Sequence, residues 1–339
     1  MPEDAAYLAE LRDAAERAVS AWSINLAAIE LVSLSENAVF RVDATDGARY
    51  ALRIHRPGYS SLPELESELL WTEALGEAGI DVPAAVRTPD NRGYVSVSTP
   101  GWATPRQVGL VGWLDGGTLG HLLEKAPDDS ARAQHFAELG RAMARMHEHT
   151  TNWTPPSTFV RRVWDADGLV GHDPLWGRFW ELPELSAEQR TLLLRARESI
   201  WQELTDYGCD AAGFGLIHAD LHSYNVLVHG DRFTVIDFDD AGFGWHQYDL
   251  AVALSGLRGD PTFPAMQRAL IDGYRAVRPL PAEALGLLPL FLLVRRLVSL
   301  GWLHGRPELD HGNRVAPLIA AACEETDTYL SGTRGQTAR

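Results

Sequence analysis

Along the first third of the chain, apolar residues recur at helical spacing and then at every second position. Leu8, Leu11, Ala15 and Ala18 fall on one face of a helix predicted over residues 3–21. Three β-prone runs follow, Ile29–Ser35, Ala38–Ala44 and Arg49–Arg56; Thr45-Asp46-Gly47, between the last two, is a hairpin signal. Pro63 opens a predicted helix that runs to about Ala78. Two more strands are predicted at Tyr94–Thr99 and Arg106–Leu114. The break Asp115-Gly116-Gly117 ends this pattern, and a lobe boundary is placed there, giving residues 1–112 and 113–339.

The remainder reads as mostly helical. Phe136, Leu139, Met143 and Met146 repeat at helical spacing up to His147. Short strands are expected at 216–220 and 225–237, and helices from about 247 to 330. A small sheet-rich lobe followed by a larger helical one is an α+β arrangement, with one cleft expected between them.

Composition narrows the partners. The chain has 339 residues, 45% hydrophobic and 22% charged, which is ordinary globular usage. The longest apolar run, Leu285–Val294, contains Pro289 and stops at Arg295-Arg296, short of the roughly 20 residues that span a bilayer. Acidic residues at Glu3, Asp4, Glu10, Asp13 and Glu16 do not fit a secretory leader, and Cys209 and Cys323 are too few for a disulfide scaffold. A cytoplasmic location is expected. The formal charge of −16 disfavours nucleic acid and anionic lipid. Lys125 is the sole lysine among 30 basic residues, so any step that needs a cation falls to arginine.

The informative stretch is Leu216–Leu250. Asn225–Val228 and Phe233–Ile236 are β-prone runs joined by His229-Gly230-Asp231-Arg232. Pairing Val228 with Phe233 puts Asn225 opposite Ile236, next to Asp237. An amide oxygen and a carboxylate then share the open end of a hairpin, and Asp220 lies on the entering loop. Hard oxygen ligands of this kind suit Mg²⁺. The spacing Asp220-x₄-Asn225, with Asp237 after the next strand, is that of a kinase catalytic loop. In this reading Asp220 orients the acceptor hydroxyl and takes its proton, while Asn225 and Asp237 hold the metal. A second reading makes His218, Asp220 and His222 the ligands of a metallohydrolase. A third is a catalytically idle kinase-like binding module.

The first lobe supplies the cation. Alternation along Arg49–Arg56 puts Tyr50, Leu52 and Ile54 on one face and Ala51, Arg53 and His55 on the other. Ala51-x-Arg53 has the form of the kinase Ala-x-Lys strand, a small residue against the base and a cation on phosphate. Leu65, Glu68, Thr72 and Leu75 share a face of the next helix, making Glu68 the expected partner of Arg53. Ser35 and Asn37, in the turn after the first strand, are expected to cover a phosphate. The segment Leu110–Leu114, with Val111 and Trp113, is expected to offer backbone groups to the base.

These motifs resemble the aminoglycoside phosphotransferase superfamily, a kinase-like group that includes choline kinases, homoserine kinases of the second type and a bacterial stress-response kinase. The resemblance rests on Ser35-Glu36-Asn37, Tyr50-Ala51-Leu52-Arg53, Glu68, Trp113-Leu114-Asp115-Gly116, Leu139-Gly140 with Met146-His147, His218–Leu227, Ile236–Ala241 and Asp249-Leu250-Ala251. It implies a bilobal protein-kinase-like fold, ATP or GTP as co-substrate, and Mg²⁺. It also implies that Asp249 braces the catalytic loop. Two departures stand out: Ala219 where the family usually has glycine, and Arg53 where it usually has lysine.

Eleven residues separate Asp237 from Asp249, too few for a peptide-docking segment. A small hydroxylated acceptor is expected, with a stress-response type of Ser/Thr protein kinase as the alternative. Asp239 and Asp240 either attract an ammonium group, which suits an aminoglycoside, an amino-alcohol or a homoserine-like molecule, or order the groups around a metal. Trp164, Trp176 and Trp180 either wall the acceptor pocket or pack the core.

Overall fold

A computed structural model describes residues 5–210, 212–306, 312 and 315–337. The chain divides into two compact units. One gathers residues 1–121, 154–161 and 224–239; the other gathers 122–153, 162–223 and 240–339.

The first unit is built on an antiparallel sheet. Helix α1 (Ala5–Val19) buries Leu11, Ala14, Ala15 and Ala18 in one core with Phe40, Leu52, Ile54, Val108 and Leu110. Strands β1 (Leu26–Leu34), β2 (Ala38–Ala44), β3 (Arg49–Ile54), β4 (Tyr94–Val97) and β5 (Arg106–Gly112) lie in the order β1-β2-β3-β5-β4. The alternation expected of β3 holds: Leu52 and Ile54 are buried in the core, and the intervening residues face the other way. Helix α2 (Leu62–Glu77) starts at a capping box. Ser61 Oγ accepts the Glu64 amide, and Glu64 Oε2 accepts the Ser61 amide at 2.8 Å.

The hairpin that follows Asn225 also belongs to this unit. Val226–His229 pairs with Arg232–Val235 with Phe233 opposite Val228, the register expected from the sequence. Just beyond, the Ile236 amide donates to the Asn225 carbonyl at 3.0 Å. The Asp115-Gly116-Gly117 break is not a bare connection: Gly117-Thr118 adds a third strand to the hairpin, against Val228 and Leu227.

The second unit is mostly helical, with a small sheet of Phe214–Ile217, Gly242–Trp245 and Val163–Trp164. The helix expected to end at His147 runs over Asp129–Asn152. His147 is internal to it and fully buried, with Nε2 3.0 Å from Asp249 Oδ2 and Nδ1 3.0 Å from the Tyr274 hydroxyl. The apolar run near residue 290 opens the helix Leu288–His304, buried along most of its length. Among the described residues no helix is long and apolar enough to cross a membrane.

Helices Asp129–Asn152 and Phe263–Arg275 touch backbone to backbone. A Cβ on Gly140 would lie 2.1 Å from the Leu270 carbonyl oxygen, and one on Gly273 would lie 2.0 Å from that of Ala137. Glycine is required at both places because no side chain fits between the helices. Gly140→Ala should therefore lower stability by about 2 kcal/mol or more, since neither backbone can yield cheaply. Urea unfolding of the variant reads this directly, and an unchanged midpoint would contradict the close approach.

Candidate functional site

The first unit encloses a cavity of about 450 Å³, a size that suits a small ligand. Of the residues singled out in the sequence, Ala51, Arg53, Glu68, Val111, Trp113 and Asp237 line it; Ser35, Asn37 and Asn225 do not. The side chains of Leu227 and Ile236 from the hairpin also face it. Within 110–114 several backbone groups are already bonded. The Leu110 carbonyl accepts from Val86, the Gly112 amide donates to Ala84, and the Trp113 amide donates to Arg49 at 3.0 Å. Trp113 thus borders the cavity without a backbone amide to give.

Charge is concentrated at one wall. Arg53 Nη2 lies 2.5 Å from Asp237 Oδ1 and 3.2 Å from Asp239 Oδ2. Burial works against the guanidinium's charge, but Asp237 and then Asp239 outweigh it and raise its pKa. Burial would raise the Asp239 carboxyl, yet Arg53 first, together with His55, Asn37 and Arg161, pulls it down to about 2. Asp237 sits at φ +67°, a left-handed conformation that costs a non-glycine residue about 1 kcal/mol or more.

Two expected partnerships are replaced. Glu68 does not pair with Arg53; its Oε2 faces Arg161 Nη1 at 3.5 Å and accepts no hydrogen bond. The two aspartates hold Arg53 on the other side, and Arg161 is the nearer cation for Glu68. Burial, with Asp239 adding to it, then pushes the Glu68 carboxyl up to about 7. Asn37 does not cover the cavity either. Its Nδ2 donates to Asp239 Oδ2 at 2.5 Å and its Oδ1 accepts the Arg56 amide at 2.9 Å, so both ends of the amide are committed. The neighbouring Ser35 amide closes a turn onto the Asn37 carbonyl.

Arg161 was not foreseen. It is buried and donates to the carbonyls of Phe238 and Asp239 at 2.9 and 2.7 Å, and to that of Glu64 at 3.1 Å. Its only sequence signal is an arginine in a stretch without periodicity. As a donor set for a divalent cation, Asn225, Asp237 and Asp239 are all hard oxygen groups, and the buried Asp239 Oδ1 makes no hydrogen bond. That set fits Mg²⁺.

The second unit holds the loop of Asp220. The loop is braced by Asp249, fully buried, whose carboxylate accepts the His218 amide at 2.9 Å and the Ala219 amide at 2.7 Å. Ala219 takes φ +64°, the left-handed region that glycine enters most freely, which accords with the expectation of a glycine there. Asp220 Oδ1 lies 2.6 Å from Arg295 Nη2, and its Oδ2 lies 3.4 Å from His222 Nε2. Burial alone would raise the Asp220 carboxyl; Arg295 first, together with His222 and His218, outweighs it and holds the group at about 2. No three His, Cys, Asp or Glu side chains assemble into a metal-holding group among the described residues. The metallohydrolase reading of His218, Asp220 and His222 thereby loses its ligand set.

Asp240 has partners of its own. Its Oδ1 accepts from Trp176 Nε1 at 2.9 Å and faces Arg162 Nη1 at 3.2 Å, while its carbonyl accepts from Trp164 Nε1 at 2.8 Å. Trp164 is fully buried and stacks edge-on against Trp176; Trp180 is buried against Phe179. All three pack the interior, and Trp164 and Trp176 order Asp240.

Glu68 supplies a pH test. Its carboxyl ordinarily titrates near 4.5, but in the fold it does so at about 7. Between those values the folded protein keeps a proton that the unfolded chain has released, so stability falls as pH rises across that window. Glu68→Gln stays neutral throughout. Its stability relative to wild type should therefore rise by about 1–3 kcal/mol between pH 4.5 and pH 8. Urea unfolding of both proteins across that range checks this, and a flat difference would contradict it. The buried His55, held down to about 4, titrates in both proteins and drops out of the comparison.

Comparison with known proteins agrees with this geometry. The model of the phosphotransferase enzyme family matches residues 28–283. The chain is similar to a microcompartment-associated aminopropanol kinase of known structure, with a TM-score of 0.81 and 34% identity over 94% of this chain and 97% of that one. It is also similar to a homoserine kinase of Methylobacterium radiotolerans, 31% identical over 80% of this chain and 79% of that enzyme. An amicoumacin kinase solved with AMP-PNP and Ca²⁺ shares the fold, with a TM-score of 0.74 and 20% identity over 92% of each chain. The chain belongs to the phosphotransferase enzyme family and is a phosphotransferase with an alcohol group as acceptor.

Proposed function

We propose that this protein is a kinase that transfers the γ-phosphoryl group of ATP to the hydroxyl of a small amino-alcohol. The observation that carries the reading is Arg53 meeting Asp237 at 2.5 Å on the wall of the cavity that Ala51, Val111, Leu227 and Ile236 line. An apolar slot ending in an arginine and a carboxylate suits a nucleotide base followed by its phosphates. The similarity to an aminopropanol kinase and a homoserine kinase supports the acceptor class, since both molecules carry a hydroxyl and an amine on a short chain.

In this mechanism the nucleotide base lies between Ala51 and the hairpin residues, and Arg53 grips the phosphates. Arginine forks onto two oxygens where lysine would place a point charge. Asn225 and Asp237 would hold Mg²⁺, which when bound offsets the charge of the phosphates. The acceptor oxygen forms its bond to the γ-phosphorus as the bond to the bridging oxygen breaks and ADP leaves. The hydroxyl proton passes to Asp220. A carboxyl held near 2 cannot deprotonate a free alcohol, so Asp220 orients the hydroxyl and takes the proton late, after bond formation has made it acidic.

Asp220→Asn should leave ATP binding in place and lower turnover by about 10²–10⁴. ATP consumption measured against aminopropanol, homoserine, aminoglycosides and a Ser/Thr peptide would test both the role and the acceptor class. Equal turnover in the variant would remove Asp220 from the mechanism, and transfer to the peptide alone would overturn the amino-alcohol reading. Asp237→Ala should abolish the Mg²⁺ dependence of ATP binding in calorimetry; binding that still strengthens with Mg²⁺ would count against its role as ligand.

A further inference from the structure

We propose that Arg295 is a positioning residue for phosphoryl transfer, gripping Asp220 Oδ1 at 2.6 Å so that the carboxylate is fixed in rotation toward the acceptor hydroxyl. The inference rests on the reading of Asp220 given above and goes beyond it. Arg295 comes from the middle of the helix Leu288–His304, where Phe291, Leu292, Leu293, Val294 and Leu297 are all buried and apolar. It is itself only 7% exposed. Its guanidinium lies 4.7 Å from the Trp176 ring centre, within cation–π range, and its Nε and Nη1 are buried without hydrogen bonds.

Burying a guanidinium is costly unless a partner offsets it. A methionine would fill the same volume in this helix at no such cost, so packing does not account for a cation here. The feature that does is Asp220, the one carboxylate paired with Arg295 among the described residues; the Tyr248 hydroxyl beside the guanidinium is uncharged. The grip is directional. One guanidinium nitrogen bonds one carboxylate oxygen, while Trp176 limits how far the guanidinium plane can turn. His222, at 3.4 Å from Oδ2, lies on the other oxygen. Asp220 is thereby kept ionised, in place and in a single orientation, which is what a group that must meet a hydroxyl at hydrogen-bonding distance requires.

A double-mutant cycle over Asp220→Asn and Arg295→Met, with Arg295→Lys as the conservative variant, tests this in the full-length protein. Turnover is read with aminopropanol and homoserine as acceptors, and as the slow transfer to water when neither is present. Arg295→Met should lower kcat by about tenfold or more while KM for ATP stays within about twofold, and Arg295→Lys should recover part of the loss. In the Asp220→Asn background, adding Arg295→Met should cost less than about twofold further, because the residue acts only through that carboxylate. A loss of equal size in both backgrounds, or no loss in either, would overturn the inference. Should Arg295→Met fail to fold, Arg295→Lys carries the test, and wild-type kcat in that variant would count against the directional grip. Failure of the underlying reading shows differently, as wild-type turnover in Asp220→Asn or as no turnover by the wild type with any acceptor or water.

Discussion

In both units arginines hold the aspartates named in the proposed reaction and their neighbours. Arg53 takes Asp237 and Asp239, Arg295 takes Asp220, and Arg162 takes Asp240. A planar, permanently charged guanidinium suits this work, since it is more weakly hydrated than an ammonium and can be buried against a carboxylate at lower cost. Glu68 shows what happens when the pairing is loose. With Arg161 at 3.5 Å and no hydrogen bond, burial prevails and the carboxyl stays protonated to near neutrality. Within the first unit, burial thus leaves Asp239 ionised and Glu68 largely neutral, and the difference lies in the cations and hydrogen-bond donors that reach each carboxyl.

The pairing is useful only if the backbone presents the side chains correctly, and both key loops bend through left-handed residues to do so. Ala219 and Asp237 each carry a positive φ. Neither is glycine, so each conformation must be imposed by its surroundings. For Ala219 the agent is Asp249, a fully buried acceptor of two successive loop amides that is itself fixed by His147. For the stretch that follows Asp237, Arg161 takes the carbonyls of Phe238 and Asp239, and Asn37 takes the Asp239 carboxylate.

What could be read in advance followed from periodicity and register. The alternation of β3 put Ala51 and Arg53 on one face. The turn His229–Arg232 fixed Val228 opposite Phe233, and hence Asn225 beside the residue before Asp237. What could not be read were partnerships between segments distant in sequence. Nothing in local spacing ties Glu68 to Arg161 or Asn37 to Asp239. Arg295 was visible only as the residue that ends an apolar run, and a buried ion pair has the same signature as a helix surface returning to solvent. His147 was misread as a terminus for a related reason, since a polar residue after four apolar ones carries no sign of an internal partner.

The pairing also constrains the choice of acceptor. Asp239 and Asp240 were candidates to attract an ammonium group by net charge, but Asp239 is matched by Arg53 and Asn37, and Asp240 by Arg162 and Trp176. A carboxylate already bonded to a buried cation projects little field beyond that contact. Under the proposed function, attraction of an amine therefore does not rest on a pool of negative charge at these two residues, despite the −16 carried by the chain as a whole.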